Sequence, residues 1–251
     1  MERMSKRGLT FHKRLMNAAG TLGFAPDTRL PLNWADFGAF ITNPLSLRPR
    51  RPAVEPALIE HPGGFLLHSG LPNPGFSQVL KQYAAKWERA SLPVIVHLMA
   101  DRPEETQRMT RHLENIENVM AVELGFAPLL ADDIILLAVE MSAGELPLMV
   151  NLPWEQVLCL GPKVLAAGAD AISLAPPRGA LMVPGGDVVH GRLFGPALLA
   201  QSLFLTHQAA RAGLPVIGGC GVYSQADVDV MLNHGALAVQ VDAVLWRGGF
   251  N

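Results

Sequence analysis

Three polar side chains stand toward the ends of apolar runs, where barrel strands carry groups that do chemistry. They are His97 in PVIVHL, Glu123 in AVEL and Asn151 in LMVNL. Imidazole and carboxylate groups transfer protons. If these runs are parallel strands of a barrel, their carboxyl ends line one mouth, which favours a functional site. The alternative is that these side chains only fill the barrel interior and satisfy one another by hydrogen bonds. We take His97, Glu123 and Asn43, which ends the run FITN, as the candidate catalytic residues.

A glycine-rich turn at 218–221 is the second candidate site. Residues 215–241 predict a strand (215–217), this turn, a helix (224–233) and a second strand (238–241), since buried parallel strands are joined by a crossover helix. Glycines let backbone N–H groups approach an anion, and a helix N-terminus favours negative charge there. Such a phosphate site follows strands seven and eight of a (β/α)8 barrel. Cys220 in this turn is either a thiol whose thiolate the helix favours or a packed side chain.

The preceding sequence supplies the six earlier strands that such a barrel needs. Apolar runs predict strands at 15–18, 39–42, 93–98, 121–124, 148–152 and 171–174. Helices are predicted at 29–35, 78–90, 103–117, 131–142, 154–167 and 196–212. Strands and helices alternate without a compositional break, so we predict one α/β domain over residues 1–251, a single (β/α)8 TIM barrel.

Two long connections, 44–75 and 176–195, interrupt this alternation. Both are rich in Pro and Gly, and each holds a predicted hairpin tip, at 61–64 and 184–187. Long excursions of this kind are typical of lids and binding loops. Arg178, at the start of the second excursion, could bind an anion or be solvated.

Composition argues against several functional classes. The 251 residues are 49% hydrophobic and 17% charged, with a net charge of -2 and interspersed signs, which gives no footprint for nucleic acid. No apolar region follows the basic residues near the start (Arg3, Lys6, Arg7, Lys13 and Arg14), and no run reaches membrane-spanning length. We therefore expect a cytoplasmic protein without membrane association.

The cysteines and histidines give no sign of a metal or a disulfide. Cys159 and Cys220 are far apart, which fits a reducing compartment, and Cys159 is predicted to be a buried helix residue. The eight histidines show neither HExxH nor paired metal spacing, so no metal is predicted.

Six motifs in order carry a resemblance to a known family. They are NAAGTLGF (17–24), GAFITN (38–43), HSGLPNPG (68–75), GRLFGPAL (191–198), PVIGGCGV (215–222) and GALAVQV (235–241). This set resembles the successive motifs of the dihydroorotate dehydrogenase family over nearly the whole chain. The resemblance implies an FMN-dependent (β/α)8 oxidoreductase with a small-molecule substrate.

The resemblance also implies which residues meet the two ligands. Those implied for FMN are Ala18, Ala19, Gly20, Asn43, Asn151, Gly195, Gly219, Cys220, Gly221 and Asp242. Those assigned to the substrate side are His68, Ser69, Gly70, Leu71 and Arg178. His68 is equally open to a surface interpretation.

The catalytic positions depart from the family pattern. The family has a Lys at the ends of strands two and five, where this chain has Asn43 and Asn151. The loop after strand four reads ELGFAP (123–128), without the thiol or hydroxyl of the family's base. Leu67 replaces a substrate-binding Asn. We therefore expect little oxidation of dihydroorotate and an altered substrate.

The phosphate end of the implied FMN site is altered as well. Cys220 replaces a glycine, and Asp242 follows strand eight where the family usually has Gly-Thr or Gly-Ser. A carboxylate about 4 Å from a phosphate is unfavourable by roughly 1 to 4 kcal/mol. FMN is therefore possible but weakened or lost, unless Asp242 turns away to cap a terminal turn or to pair with Arg247.

Three functions remain open on these residues. The first is a dihydroorotate dehydrogenase-like flavin oxidoreductase with an altered substrate. The second is a noncatalytic paralogue that acts as a ligand-binding or assembly module. The third is a non-flavin enzyme that uses Glu123 or His97 as acid or base on a phosphorylated metabolite. Gly248 and Gly249 break the expected eighth helix and leave barrel surface uncovered, which favours a homo-oligomer.

Overall fold

The computed structural model of the protein describes residues 8–55, 57–183 and 185–249. Of the residues discussed above, Arg3, Lys6, Arg7 and the Pro184 hairpin tip lie outside them. The strands are β1 (Leu15–Asn17), β2 (Phe40–Ile41), β3 (Ala57–His61), β4 (Gly64–His68), β5 (Val94–Met99), β6 (Val119–Gly125), β7 (Leu148–Leu152), β8 (Ala171–Leu174), β9 (Arg178–Met182), β10 (Val188–Phe194), β11 (Val216–Gly219) and β12 (Val239–Val241).

Helices cover the outside of the barrel. They are α1 (Phe76–Glu88), α2 (Pro103–Leu113), α3 (Asp132–Ser142), α4 (Val157–Ala166), α5 (Leu199–Arg211) and α6 (Gln225–Asn233). Short 3-10 segments lie at Trp34–Asp36, Trp154–Gln156, Pro196–Leu198 and Ala243–Arg247. No helix in the described ranges is long and apolar enough to cross a bilayer.

The predicted helix at 29–35 is wrong, since only the 3-10 segment Trp34–Asp36 forms in that region. Pro31 lacks a backbone N–H, and the Asn33 side chain accepts a hydrogen bond from the Ala35 backbone N. The helical turn therefore starts after Asn33 and ends within one turn.

Eight parallel strands form the predicted barrel, in the order β1-β12-β11-β8-β7-β6-β5-β2. The representative residues of the eight predicted strands all lie on these strands: Leu15, Ile41, Ile95, Val122, Met149, Ile172, Val216 and Val239. The predicted TIM-barrel fold is confirmed.

The barrel closes between its first and second strands through few backbone contacts. Met16 and Ala39 form one parallel bridge. Beside it, the Asn17 side-chain amide donates to the Ile41 carbonyl at 2.7 Å and accepts from the Ile41 N–H at 2.9 Å. Asn17 therefore takes the place of a peptide group in the ladder at this seam.

Side chains inside the barrel change from apolar to polar toward the mouth. The lower, apolar layers consist of Met16, Ala39, Ile41, Ile95, Ala121, Met149, Ala171, Ile217 and Ala238. Side chains alternate between the two faces of a strand, so the residue two positions further along points inward again. By this rule His97, Glu123, Asn151, Ser173 and Gln240 form the next layer, and all five are buried.

The two predicted hairpins pair with each other above the mouth. Strands β3, β4, β10 and β9 form a separate four-stranded antiparallel sheet. In its register Arg192 of β10 lies opposite Leu67 of β4 on one side and opposite Arg178 of β9 on the other. The excursions at 44–75 and 176–195 thus build one covering sheet, which places two arginines side by side.

Candidate functional site

A buried carboxylate, Glu123, is the centre of the polar layer. Its Oε2 accepts a hydrogen bond from His97 Nδ1 at 2.6 Å. Its Oε1 accepts from Ser173 Oγ at 2.6 Å and from Gln240 Nε2 at 2.7 Å. Asn151 Nδ2 in turn donates to Ser173 Oγ at 2.9 Å. Side chains from three other strands therefore converge on one fully buried carboxylate, and a fourth strand contributes Asn151 through Ser173.

This environment favours the ionised form of Glu123. Burial is the largest single influence and raises its pKa, but the hydrogen bond and charge of His97 act in the opposite direction, as do the bonds from Ser173 and Gln240. The net effect is a pKa of Glu123 below its ordinary value. His97 Nδ1 therefore carries the shared proton, and Nε2, which has no hydrogen bond among the described residues, remains the free ring nitrogen.

The mouth above this layer is almost filled. The space there is about 10 Å³, bounded by Ala18, Ala19, His97, Arg192, Cys220 and Asp242 among others. That volume corresponds to about one water molecule. The predicted residues Ala18, Ala19, Asn151, Cys220 and Asp242 do come together at this mouth.

Arg192 enters the mouth from the covering sheet. Burial lowers the pKa of its guanidinium to about 10, the positive charge of Arg178 adds to this effect, and Cys220 and Glu123 oppose it. Its charge therefore lies close to the polar layer. Among the residues the structure describes, Arg192 makes no ion pair within 4 Å.

A larger pocket adjoins the mouth beneath the loops after β6, β7 and β8. Its volume is about 170 Å³, and Asn151, Pro176 and Arg192 border both spaces. Apolar walls include Phe126, Leu130, Ile135 and Trp154, and Arg178 closes one side. The free volume of the site lies here, not over the barrel axis.

The glycine-rich turn keeps backbone donors available. The N–H groups of Gly221 and Val222 have no hydrogen-bond partner within the described part of the chain, although both residues are buried. Buried N–H groups without partners are rare in proteins, and they suit an anion. Gly221 itself is explained by packing, because a Cβ there would lie 2.4 Å from the Leu199 nitrogen.

Asp242 occupies the other side of this turn. Its Oδ1 accepts from the Ala243 backbone N at 2.5 Å and caps the 3-10 segment Ala243–Arg247. Burial raises the pKa of Asp242 to about 6, and its charge acts on both Cys220 and Tyr223. Of the two alternatives for Asp242, capping of the terminal turn is therefore the one that the structure shows. Among the described residues Asp242 forms no ion pair with Arg247.

The residues present do not fit FMN in this arrangement. The free N–H groups at Gly221 and Val222 suit a phosphate, but the Asp242 carboxylate binds the neighbouring Ala243 donor. The flavin ring has no room, because Arg192 and the strand ends leave only about 10 Å³ at the mouth. An anion is compatible with this site, whereas a flavin ring is not.

Several predicted cofactor residues act within the fold itself. Asn43 Oδ1 accepts from the Gly23 backbone N at 3.1 Å and so holds the loop after β1. Gly20 has a φ of +89°. A Cβ on Gly195 would lie 2.2 Å from the Gly63 carbonyl oxygen, so this glycine lets the covering sheet approach. A Cβ on Gly219 would lie 3.1 Å from the Gln240 carbonyl oxygen, a contact between adjacent strands.

The predicted substrate residues divide between two places. Arg178 borders the 170 Å³ pocket beside the mouth. His68, the last residue of β4, and Gly70 border a separate open cleft with Arg50 and His190. Next to it Ser69 Oγ accepts from the N–H of Leu71, which adopts φ +54°.

The exposure of Cys159 and the burial of Cys220 decide how the two cysteines are interpreted. The prediction that Cys159 is buried is wrong, because it lies exposed on α4. Cys220 is buried, and this burial raises the pKa of its thiol well above the ordinary value. Cys220 is therefore a packed thiol and not a thiolate nucleophile.

The residues missed at the sequence level are Ser173, Gln240, Trp154 and Arg192. Residues two positions apart on a strand point to the same face. Ser173 therefore points into the barrel like Ala171, and Gln240 like Ala238, just as Glu123 does like Ala121. Arg192 stands in the motif GRLFGPAL, where a long charged side chain next to glycine was the available signal.

Comparisons with known proteins point to one family. Residues 3–126 match the family described as dihydroorotate dehydrogenase. The chain is 30% identical to the dihydroorotate dehydrogenase B (NAD(+)) catalytic subunit of Pelobacter propionicus, over 93% of this chain and 84% of that protein. It is 28% identical, with the same two coverages, to the proteins of that name from Citrifermentans bemidjiense and Geobacter sulfurreducens.

Proposed function

The chain belongs to the dihydroorotate dehydrogenase family, and from this premise we propose that it no longer oxidises dihydroorotate with FMN but binds a small anionic metabolite at the barrel mouth. One observation carries the proposal. Arg192 is one of the residues that border the mouth, where only about 10 Å³ is free and a flavin ring would need a broad planar slot. Its positive charge has no ion-pair partner among the described residues and attracts anions.

The catalytic positions support this proposal. The loop at 123–128 has neither a thiol nor a hydroxyl, and Asn43 and Asn151 are amides where the family has lysines. Asn43 and Asn151 are also engaged in hydrogen bonds with Gly23 and Ser173. None of these positions therefore offers the thiol or hydroxyl that the family resemblance implies as the base in dihydroorotate oxidation.

The buried pair of Glu123 and His97 gives the site a group that can hold or transfer a proton. Glu123 accepts the Nδ1 proton of His97 and fixes the ring, which borders the mouth. The Nε2 atom can then accept a proton from a bound anion or donate one to it, as in other carboxylate-oriented histidines. Glu123 acts by orienting His97, since it is itself fully buried.

A flavin oxidoreductase with an altered substrate is the second candidate. The unpartnered N–H groups of Gly221 and Val222 favour it, because they would hold the phosphate of FMN. A flavin bound there would supply hydride and electron chemistry. This candidate requires the Arg192 side chain to leave the mouth.

Titration with FMN, followed by quenching of flavin fluorescence, distinguishes the two candidates. Because Arg192 fills the ring space, we expect weak or absent binding by the wild type and at least tenfold tighter binding by Arg192→Gly. Arg51→Gly, at an exposed arginine of the separate cleft, is the matched control and should behave as wild type. Tight binding by the wild type, with no gain in Arg192→Gly, would favour the flavin enzyme.

A further inference from the structure

Two arginines stand side by side at the pocket next to the mouth. Arg178 and Arg192 are directly paired in the β9–β10 register, and both border the 170 Å³ pocket. Neither guanidinium forms an ion pair within 4 Å in the described part of the chain. The positive charge of Arg178 therefore acts unfavourably on that of Arg192, and neither is held in an ion pair.

The surrounding charges do not neutralise this pair. Glu155, on the neighbouring 3-10 segment, also lines the pocket and acts on Arg178 without an ion pair, and Glu123 acts on Arg192. Glu123 is already engaged with His97, Ser173 and Gln240. Arg178 is exposed and Arg192 is partly buried, so both guanidinium groups remain available to an anion that enters the pocket.

The pocket dimensions limit the body of that anion. A dry cavity of about 150 Å³ accepts one benzene ring. The volume of about 170 Å³ therefore suits one six-membered ring with a small substituent. Phe126, Leu130, Ile135 and Trp154 offer apolar surface to such a ring. Asn151 and Gln156 are the neutral polar side chains of the lining, and the Asn151 amide nitrogen already donates to Ser173.

Trp154 links the pocket to the mouth. Trp154 borders the pocket, and Cys220 borders the mouth. The Trp154 Nε1 lies beside the Cys220 thiol, but the two do not form a hydrogen bond of normal geometry. A ring in the pocket would pack against this indole while its charged substituent lies at Arg192. The same ligand would then extend toward His97.

We propose that this pocket binds a small carboxylate with a flat apolar body, its carboxylate held between Arg178 and Arg192. This inference rests on the proposed function and defines the chemical class of the anionic metabolite. It separates the ligand from dihydroorotate, whose ring carries amide and carbonyl groups that the apolar walls cannot satisfy.

Calorimetric titration with benzoate tests the inference, with benzamide as the neutral isostere. We expect benzoate to bind the wild type at least tenfold more tightly than benzamide, because only the carboxylate engages the arginine pair. Arg178→Met and Arg192→Met should each weaken benzoate binding about tenfold or more. Arg89→Met, at an exposed arginine after α1, should leave it unchanged.

Two further measurements keep the result interpretable. Arg192→Lys preserves the charge but not the planar donor pair, so it should bind benzoate between wild type and Arg192→Met, and circular dichroism checks that each variant folds. Equal binding of benzoate and benzamide, or tighter binding of dihydroorotate than of benzoate, would overturn the inference. Failure of the proposed function would instead show as tight FMN binding by the wild type, which is a separate titration.

Discussion

At the residue scale, two buried carboxylates of the mouth respond to pH in opposite directions. Glu123 has a lowered pKa, so its stabilising effect is present above the ordinary glutamate pKa and is lost as the pH falls through the value in the folded protein. Asp242 has a pKa raised from 3.8 to about 6, so the folded protein takes up a proton between these values. Asp242 therefore makes the folded state less stable as the pH rises from about 4 to about 6, and its effect is constant above that range.

We expect Asp242→Asn to remove this pH dependence and to stabilise the protein at pH 7. The asparagine oxygen can still cap Ala243, while the buried charge is absent. The rise from 3.8 to about 6 corresponds to a gain of roughly 3 kcal/mol at most. Urea unfolding of both proteins between pH 4 and pH 8 measures it. A variant less stable than wild type at pH 7 would mean that the charged carboxylate stabilises the terminal turn.

The polar layer shows how far single positions follow from the sequence. The apolar runs predict the strands. The two-residue alternation of side chains along a strand then places His97, Glu123 and Asn151 inside the barrel, toward the carboxyl ends of their strands. The same period holds for Ser173 and Gln240. The location of Arg192 depends instead on the pairing of β9 with β10 above the barrel, which the local sequence does not determine.

At the element scale, the turn after β11 combines one strained residue with one required glycine. Cys220 has φ +67°, a conformation that is unfavourable for a residue with a Cβ. Gly221 has φ +81° and lies against Leu199 at the start of α5. The turn is thus held by packing on α5 at the expense of backbone strain.

We expect Cys220→Gly to stabilise the protein by up to about 1 kcal/mol, since relief of the left-handed strain exceeds the added entropy of the unfolded chain. Gly221→Ala should destabilise it clearly, because the new Cβ would lie 2.4 Å from the Leu199 nitrogen. Chemical denaturation of the two variants provides the comparison. A loss of stability in Cys220→Gly would show that packing of the thiol outweighs the strain.

Predicted elements match the structure where the chain is apolar and bounded by turns. The strands at 148–152 and 171–174 coincide with β7 and β8. The segment at 29–35 differs because a side-chain cap from Asn33 outweighs weak helix propensity after Pro31. The hairpin at 61–64 is predicted by its Pro-Gly turn. Its partner strand β10 lies more than a hundred residues away, so the covering sheet depends on a long-range pairing that the local sequence does not predict.

At the scale of the whole molecule, closure of the barrel depends on Asn17. Its amide makes both hydrogen bonds to the Ile41 backbone at the seam between β1 and β2. We expect Asn17→Ala to destabilise the protein by about 1 to 3 kcal/mol for each buried backbone group left without a partner. Equilibrium unfolding in urea measures the loss. A change below about 0.5 kcal/mol would mean that the strands close without this side chain.

The mouth is a property of the whole chain, because it combines the strand ends of the barrel with Arg192 from the covering sheet. The most direct test is the flavin content of the purified wild-type protein, measured by visible absorption and by release of flavin after denaturation. We predict a colourless protein with far less than one flavin per chain, which forms no orotate when FMN, dihydroorotate and an electron acceptor are supplied. A yellow protein with one FMN per chain and steady formation of orotate would contradict the account.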